Sequence, residues 1–536
     1  MKVLAIIPAA EGLKTLPNRN MRIVNGKPLI YYAVNNAKKS NYVTDIVVTS
    51  NSDEVLTIVE QIGGAICYRR SENLSGIEVP LERVIDDVRN ILPFENYDYV
   101  VTMQSISPTL KASTLDLAIR ECIENDIDTM ISVVPKKNYF WSLDYGKVFC
   151  YQKKRVRKSQ LEPFYMETGA FFISKPEYMN AESRIGGEVK LFELPKEEGV
   201  DVLSFGDLKE AEYYLSRKKV AFFVNGNSEI GMGHIRRTLL LADEFFTKPS
   251  IFFDRNKTEL DFFGDTSYEI ESVDGENGLI RKLREGSYDV LINDILQTDE
   301  EYMRRIKADI PSIKIINFED DGSGAKYADT VINCVYEEAD ESNWLVGAEY
   351  YIAPKLFMLQ DAIEVKDKVK NVLISFGGAD PMDYTSMLLS LVTQEEYKDY
   401  HFHVILGPAY NKKEQIHQNY QNENITFYSN VNNMVEIMKK CDLAITSRGR
   451  TGFELAICGI PTICIAQNDR EERHTFLSEK NGFEYLGFSP EVKRVEAALD
   501  KLLHSSKEYR SNIQNKMQKH DLKKGRKNVI DLIREI

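Results

Sequence analysis

Gly231, Met232, Gly233 and His234 follow one another inside the stretch NGNSEIGMGHIRRTL. A strand-like run, KVAFFV, precedes it and an amphipathic run, IRRTLLLADEFF, follows it. The two glycines free the backbone for close approach to a ligand. A helix beginning near His234 aims its first N–H groups at the same place, which suits a diphosphate. An imidazole on that first turn lies beside the group the diphosphate carries. For a nucleotide sugar that group is the anomeric carbon. Imidazole titrates near neutrality, so it is suited to take a proton from an attacking water. The chain has seven histidines, and the next one after His234 is His401. A glycine turn with an exposed histidine fits the same residues.

Further along, ISFGGADP (Ile374–Pro381) reads as a strand ending at Gly377 and Gly378, which suits a phosphate or ribose contact. The run TSRGRTGFELAICGIP begins at a strand end and turns into a helix. Thr451 and Glu454 fit the T-x-x-E capping box, so Glu454 is expected to cap its own helix. A carboxylate at that place also suits ribose hydroxyls, and both readings stand. Arg448, Arg450, Arg470, Arg473 and His474 form a basic group suited to clamping an anionic ligand, or else a solvated charged turn.

These residues need elements to position them. The 536 residues exceed one hydrophobic core, and about two to four domains are expected. At 43% hydrophobic and 28% charged, the composition is that of a soluble globular protein. A net charge of -14 argues against nucleic acid or a membrane surface as partner. No apolar run approaches the roughly 20 residues of a membrane span. The seven cysteines form no C-x-x-C pair and read as reduced core thiols of a cytoplasmic protein. Apolar runs alternate with helical patterns throughout, which predicts an α/β protein. Strands are expected at KVLAIIPA, DIVVTS, YDYVVTMQ, TMISVVP and GAFFIS, on a sheet of mainly parallel strands. The pattern ends near Lys218 and restarts twice, each time as a strand followed by a Gly-rich turn. The expected domains are 1–217, 218–363 and 364–536, the last two as Rossmann-like lobes facing a cleft. The basic tail KKGRKNVIDLIREI reads as a solvated helix end.

The first region resembles the acylneuraminate cytidylyltransferases, which join CTP to a nonulosonic acid. The resemblance spans roughly Met1–Leu215 and rests on IIPA, Lys14, Pro17, Asn20, GKPLIYYAV, IVVTSNSDEV, YDYVVTMQSISP, SVVP, GAFFI and DLKEAE. It implies a nucleotidyltransferase-type Rossmann-like domain that binds nucleotide through Lys14, Asn20 and Gln104, with Mg²⁺ at Asp201. Three positions depart from the family pattern. Ala10 stands where the family has arginine, Leu110 replaces a second arginine, and Leu203 replaces the second aspartate of D-I-D-T. A triphosphate needs cations, so these departures predict weak CMP-sugar synthesis unless Arg19, Lys111, Lys136 or Lys137 substitute.

The remainder resembles the UDP-sugar hydrolase of pseudaminic acid biosynthesis and its spore-coat polysaccharide relatives, over roughly Val220–Phe488. The matching pieces are IGMGHIRR, DVLIND, INFEDD, ADTVINC, GAEYYIAP, SFGGADP, GFELAICGIP and AQND. The resemblance implies a GT-B pair of lobes, His234 as catalytic base, the family's strand acid at Asp294 as a second catalytic residue, and no cofactor. The nucleotide-binding set is Gly231, Gly233, Arg237, Gly377, Gly378, Arg448, Arg450, Glu454 and Asn468. Both resemblances point to nonulosonic acid biosynthesis. The expected function is a cytidylyltransferase-like domain fused to a nucleotide-sugar hydrolase, with nucleotide sugar, CTP and a nonulosonic acid as partners. Two alternatives remain: a noncatalytic first domain, and a glycosyltransferase in place of the hydrolase. A homo-oligomer is left open.

Overall fold

The computed structural model describes all residues except 12–14, 77, 145–146, 153, 227–232, 338, 340, 430 and 432. The chain divides into two compact units, Met1–Arg217 and Lys218–Ile536.

The first unit is built on a seven-stranded sheet. Its strands are β1 (Val3–Ala9), β2 (Asp45–Ser50), β3 (Ile66–Arg69), β4 (Tyr99–Thr102), β5 (Thr129–Lys136), β6 (Phe164–Ser174) and β7 (Val189–Glu193). Their order is β7-β5-β6-β4-β1-β2-β3. β6 runs antiparallel to β5 and β4, and the other pairs are parallel. β1 is buried almost throughout, as the continuous run VLAIIPA requires of a strand covered on both faces. Helix α1 (Leu29–Lys39) packs its apolar stripe on one of those faces, and helix α2 (Phe205–Ser216) closes the unit. β3 and β7 are short and largely exposed edge strands, which is why their apolar pattern is weak in the sequence.

The second unit has two sheets. The first comprises β8 (Val220–Val224), β9 (Ser250–Asp254), β10 (Ile270–Val273), β11 (Val290–Asp294), β12 (Lys314–Phe318), β13 (Thr330–Asn333) and β14 (Trp344–Val346), ordered β10-β9-β8-β11-β12-β13-β14. The second comprises β15 (Asn371–Ser375), β16 (His401–Leu406), β17 (Ile425–Ser429), β18 (Leu443–Ser447), β19 (Thr462–Ala466) and β20 (Phe483–Phe488), ordered β17-β16-β15-β18-β19-β20. All pairs in both sheets are parallel. In each lobe the third, second and first strands lie on one side and the fourth, fifth and sixth on the other. The order therefore reverses between β8 and β11, and again between β15 and β18. Crevices at such reversals, beyond the carboxyl ends of the strands, are where α/β sheets take ligands. Helices α3 (Gly233–Ala242), α4 (Thr451–Cys458) and α5 (Asp469–Arg473) begin at those ends.

The last helix, α6 (Gly525–Glu535), corrects two expectations. It is no solvated end. Val529, Ile530 and Ile533 are buried with Val220, Phe222, Ile235 and Ile292 in the core of the first lobe. Their i, i+1, i+4 spacing makes one apolar stripe among lysines and arginines. Gly525 lets the chain pass against the backbone of Tyr351, and Arg526 donates to the carbonyl of Leu240 at 2.9 Å. The division 364–536 accordingly does not hold for its final helix, which completes the lobe that begins at Val220. Among the described residues no helix is long and apolar enough to cross a membrane.

Each of the three apolar side chains of α6 contributes about 1.5–3 kcal/mol by burial. Ending the chain before Gly525 is therefore expected to lower the unfolding midpoint of the second unit and leave the transition of Met1–Arg217 in place. Calorimetry on the shortened chain measures both transitions, and an unchanged second-unit midpoint would show that α6 is dispensable.

Candidate functional site

In the second unit β8 and β11 lie side by side, with Val224 in register with Asp294. The chain leaves β8, and α3 brings His234 back over the end of β11. His234 and Asp294 are 5% and 0% exposed. The imidazole Nδ1 donates to Asp294 Oδ1 at 2.6 Å. Arg237, one helical turn on, donates from Nε to Asp294 Oδ2 at 2.8 Å and from Nη2 to Oδ1 at 2.6 Å. Burial opposes ionisation of Asp294, but the charge and hydrogen bonds of Arg237, aided by His234, pull its carboxyl down to about 2. Burial holds the His234 pKa below that of a free imidazole, and contact with Asp294 only partly restores it. The result is a neutral ring with its proton fixed on Nδ1. Nε2 carries no hydrogen bond among the described residues and is the basic lone pair. This arrangement can accept a proton from a nucleophile.

Arg237 has a second carboxylate. Its Nη1 lies 2.6 Å from Glu319 Oε1, just beyond the end of β12. Arg450 Nη2, from the other lobe, donates to Glu319 Oε2 at 2.7 Å. A Cβ on Gly233 would lie 2.6 Å from Arg450 Nη1, so a larger residue there would push the guanidinium away from the start of α3. Arg470 Nη2 donates to the Glu319 carbonyl oxygen at 3.0 Å, and Arg473 pairs with Asp321 at 2.8 Å. The basic group is therefore mostly an interlobe contact rather than a solvated turn. Sequence reasoning missed Glu319. The run FEDD holds three adjacent acids, and nothing in it separates Glu319 from Asp320, whose side chain instead accepts from Thr298.

Three other expected residues fall differently. Arg448 is not free for a ligand. Its Nε and Nη1 donate to the carbonyls of Leu477 and Glu472 at 3.1 and 2.7 Å, and its plane lies over Tyr485. Asn468 caps α5, its Oδ1 accepting from the Glu471 N–H at 2.9 Å. His474 donates from Nδ1 to the Arg448 carbonyl at 2.8 Å, and burial pushes its pKa down to about 4.

The capping box is overturned. Arg450 is the residue that flanks α4, Thr451 is already helical, and no side chain caps the first turn. Glu454 is half-buried and makes no hydrogen bond or ion pair among the described residues. Burial pushes its carboxyl up to about 7, with Arg236 opposing. Its carboxyl therefore has no protein partner among the described residues. Gly377 and Gly378 follow β15 with open space where side chains would project, and Gly377 has φ +74°. Gly231 lies outside the described residues.

In the first unit the loop after β1 carries the expected site. Asn20 is buried, donating from Nδ2 to the Ala10 carbonyl at 2.8 Å and accepting from Ser105 Oγ. The Gln104 N–H donates to the Gly169 carbonyl at 2.9 Å, and the Gly169 N–H donates to Asp201 Oδ2 at 2.8 Å. Ser107 Oγ donates to the other Asp201 oxygen. Asn20, Gln104 and Asp201 thus belong to one connected set, and Lys14 lies outside the described residues. Both Asp201 oxygens already accept hydrogen bonds, and burial raises its carboxyl pKa. Among the described residues no three His, Cys, Asp or Glu side chains converge. A Mg²⁺ ion at Asp201 would take its remaining ligands from the nucleotide phosphates and water. Leu110 is 4% exposed within the main core, so it offers the loop no cation. Arg19 is the cation that the loop does offer. It is half-buried, its Nε has no hydrogen-bond partner, and burial lowers its pKa against the pull of Glu11 and Asp201.

Residues 4–182 match the cytidylyltransferase family, and residues 372–531 match the C-terminal domain of glycosyltransferase family 28. An uncharacterized protein of Methanocaldococcus jannaschii is 30% identical over 277 residues, 47% of this chain and 56% of its own length. The spore coat polysaccharide biosynthesis protein SpsG of Bacillus subtilis is 25% identical over 266 residues, 47% of this chain and 78% of its own. The pseudaminic acid cytidylyltransferase of Campylobacter jejuni is 26% identical over 221 residues, 40% of this chain and 95% of its own. The chain thus joins a cytidylyltransferase-type domain to a region ending in a family 28 domain.

The Glu454 pKa yields a signed expectation. It is about 7 in the fold against 4.5 for a free carboxyl. The fold binds this proton more tightly than the unfolded chain does. The group's contribution is therefore fully present below pH 4.5 and lost as pH rises through 7. Glu454→Gln is expected to match the parent chain near pH 4.5 and to exceed its unfolding midpoint increasingly toward pH 8. A midpoint lowered equally at every pH would restore the capping role.

Proposed function

We propose that the chain serves nonulosonic acid biosynthesis through two active sites. The second unit breaks the bond between the anomeric carbon and the diphosphate of a nucleotide sugar. The buried His234–Asp294 pair, with a basic nitrogen left open, is the observation that carries this reading. An incoming oxygen attacks the anomeric carbon, His234 Nε2 takes its proton, and the nucleoside diphosphate leaves with the bonding electrons. Asp294 holds the tautomer and stabilises the imidazolium. Gly233 and Arg450 sit where the diphosphate is expected, with Gly377, Gly378 and Glu454 placed for the nucleoside. We assign water as the incoming oxygen, which makes the unit a hydrolase, on its resemblance to the UDP-sugar hydrolases. The family 28 match favours a second reading, in which a sugar hydroxyl takes the place of water.

The first unit transfers CMP from CTP to a nonulosonic acid. A hydroxyl of the acid attacks the α-phosphorus, and pyrophosphate leaves. The family match and the similarity to the Campylobacter jejuni cytidylyltransferase support this reading. Arg19 takes over charge that the family places on arginines absent here at positions 10 and 110. The free state of all seven cysteines is in keeping with a cytoplasmic setting.

Nucleotide-sugar breakdown, followed by NMR without added acceptor, tests the second unit. Free sugar is expected, and His234→Asn should lower its release about 100-fold or more while nucleotide binding persists. Full activity in His234→Asn would remove the assignment, and turnover only with an added acceptor would select the glycosyltransferase. Pyrophosphate release from CTP with a panel of nonulosonic acids tests the first unit. Arg19→Ala is expected to cut kcat/KM about 100-fold, as loss of one preorganised donor does elsewhere. No pyrophosphate from the parent chain would mark the first unit as noncatalytic.

A further inference from the structure

Glu319 links Arg237, which holds Asp294, to a cation of the opposite lobe. It is 7% exposed. One carboxylate oxygen meets Arg237 Nη1 at 2.6 Å, and the other accepts from Arg450 Nη2 at 2.7 Å. Its N–H pairs with the Ile332 carbonyl at 2.9 Å, and its own carbonyl accepts from Arg470. Its φ is +52°, in the left-handed region that a glutamate rarely adopts. Such a conformation costs on the order of 1–3 kcal/mol and persists only where the surroundings fix it. Here the turn aims the carboxylate across the cleft while the next residue, Asp320, stays buried against Thr298.

Charge explains why both arginines are needed. Asp294 and Glu319 share Arg237, so two buried anions face one cation. A buried charge without compensation is costly, and Arg450 supplies the missing positive charge from the other lobe. His234 is faced by Asp294, Arg237 and Arg450, and Glu319 balances the two arginines. Without Arg450, Arg237 would be shared between two carboxylates with no second cation to hold Glu319.

We infer that Glu319 is a positioning residue which couples lobe closure to assembly of the His234–Asp294 pair, through a bridge from Arg237 to Arg450. The inference rests on the general-base reading of His234 and adds to it that the base is properly held only in the closed cleft.

The test uses the full chain with Glu319→Gln, Arg450→Gln and the double variant. Glu319→Gln is expected to lower kcat for nucleotide-sugar breakdown about 10- to 100-fold, with KM changed less than about threefold. Arg450→Gln breaks the same bridge from the other side. The double variant should therefore fall within about threefold of the worse single one. Amide hydrogen exchange over Gly233–Ala242 should speed up in each variant, with exchange in Met1–Arg217 unchanged. Fully multiplicative losses, or unaltered exchange over Gly233–Ala242, would overturn the coupling. If Glu319→Gln does not fold, Arg450→Gln against the parent chain decides by the same exchange measurement. His234→Asn in the same kinetic assay judges the base reading separately. Should it stay fully active, that reading fails, and the exchange data still decide the role of Glu319.

Discussion

Asp294 has no access to water, yet it carries a charge, and the second unit is arranged around making that tolerable. Removal of a carboxylate from water costs several kcal/mol unless charge and hydrogen bonds replace the solvent. Arg237 replaces it with two parallel N–H donors, and the imidazole of His234 adds a third. The geometry follows from the parallel sheet. Two strands adjacent in space but distant in sequence end together, and a helix returning from one of them carries both the base and its arginine. His234 and Arg237 lie three residues apart on α3, so they share a face and meet the same carboxylate. A neutral imidazole with a fixed tautomer is the chemical outcome.

The first unit shows how a family pattern can lose residues without losing its scaffold. Asn20 stays bonded to Ser105 and to the Ala10 carbonyl, and Gly169 to Asp201. The positions that depart from the pattern differ in kind. Leu110 is absorbed by the core and Leu203 is exposed. Arg19 has a half-buried guanidinium whose Nε is unpaired.

Much of this was legible in the sequence. The strands at VAFFV, DVLIND and NVLIS announced themselves as continuous apolar runs, and GMGH and LIND marked the two members of the dyad. What failed to show had physical reasons. Glu319 is distinguished from its acidic neighbours by a backbone dihedral, which has no composition signal. Arg448 and Arg450 are two residues apart in SRGRT, and only packing decides that one serves backbone carbonyls and the other the opposite lobe. Thr451 and Glu454 have capping-box spacing, but the helix starts one residue too early for the threonine to act as a cap. The apolar stripe of the final helix was hidden because lysines and arginines surround it.

That final helix has a bearing on how the protein is made. The sheet that begins at Val220 cannot cover its hydrophobic face until Val529, Ile530 and Ile533 arrive. On a ribosome these residues emerge long after the strands they protect. The nascent second unit therefore holds an open apolar surface through most of its synthesis, while the first unit has every element it needs by Arg217. Loss of α6 would uncover the lobe that carries His234, rather than the lobe whose strands stand nearer to α6 in the chain.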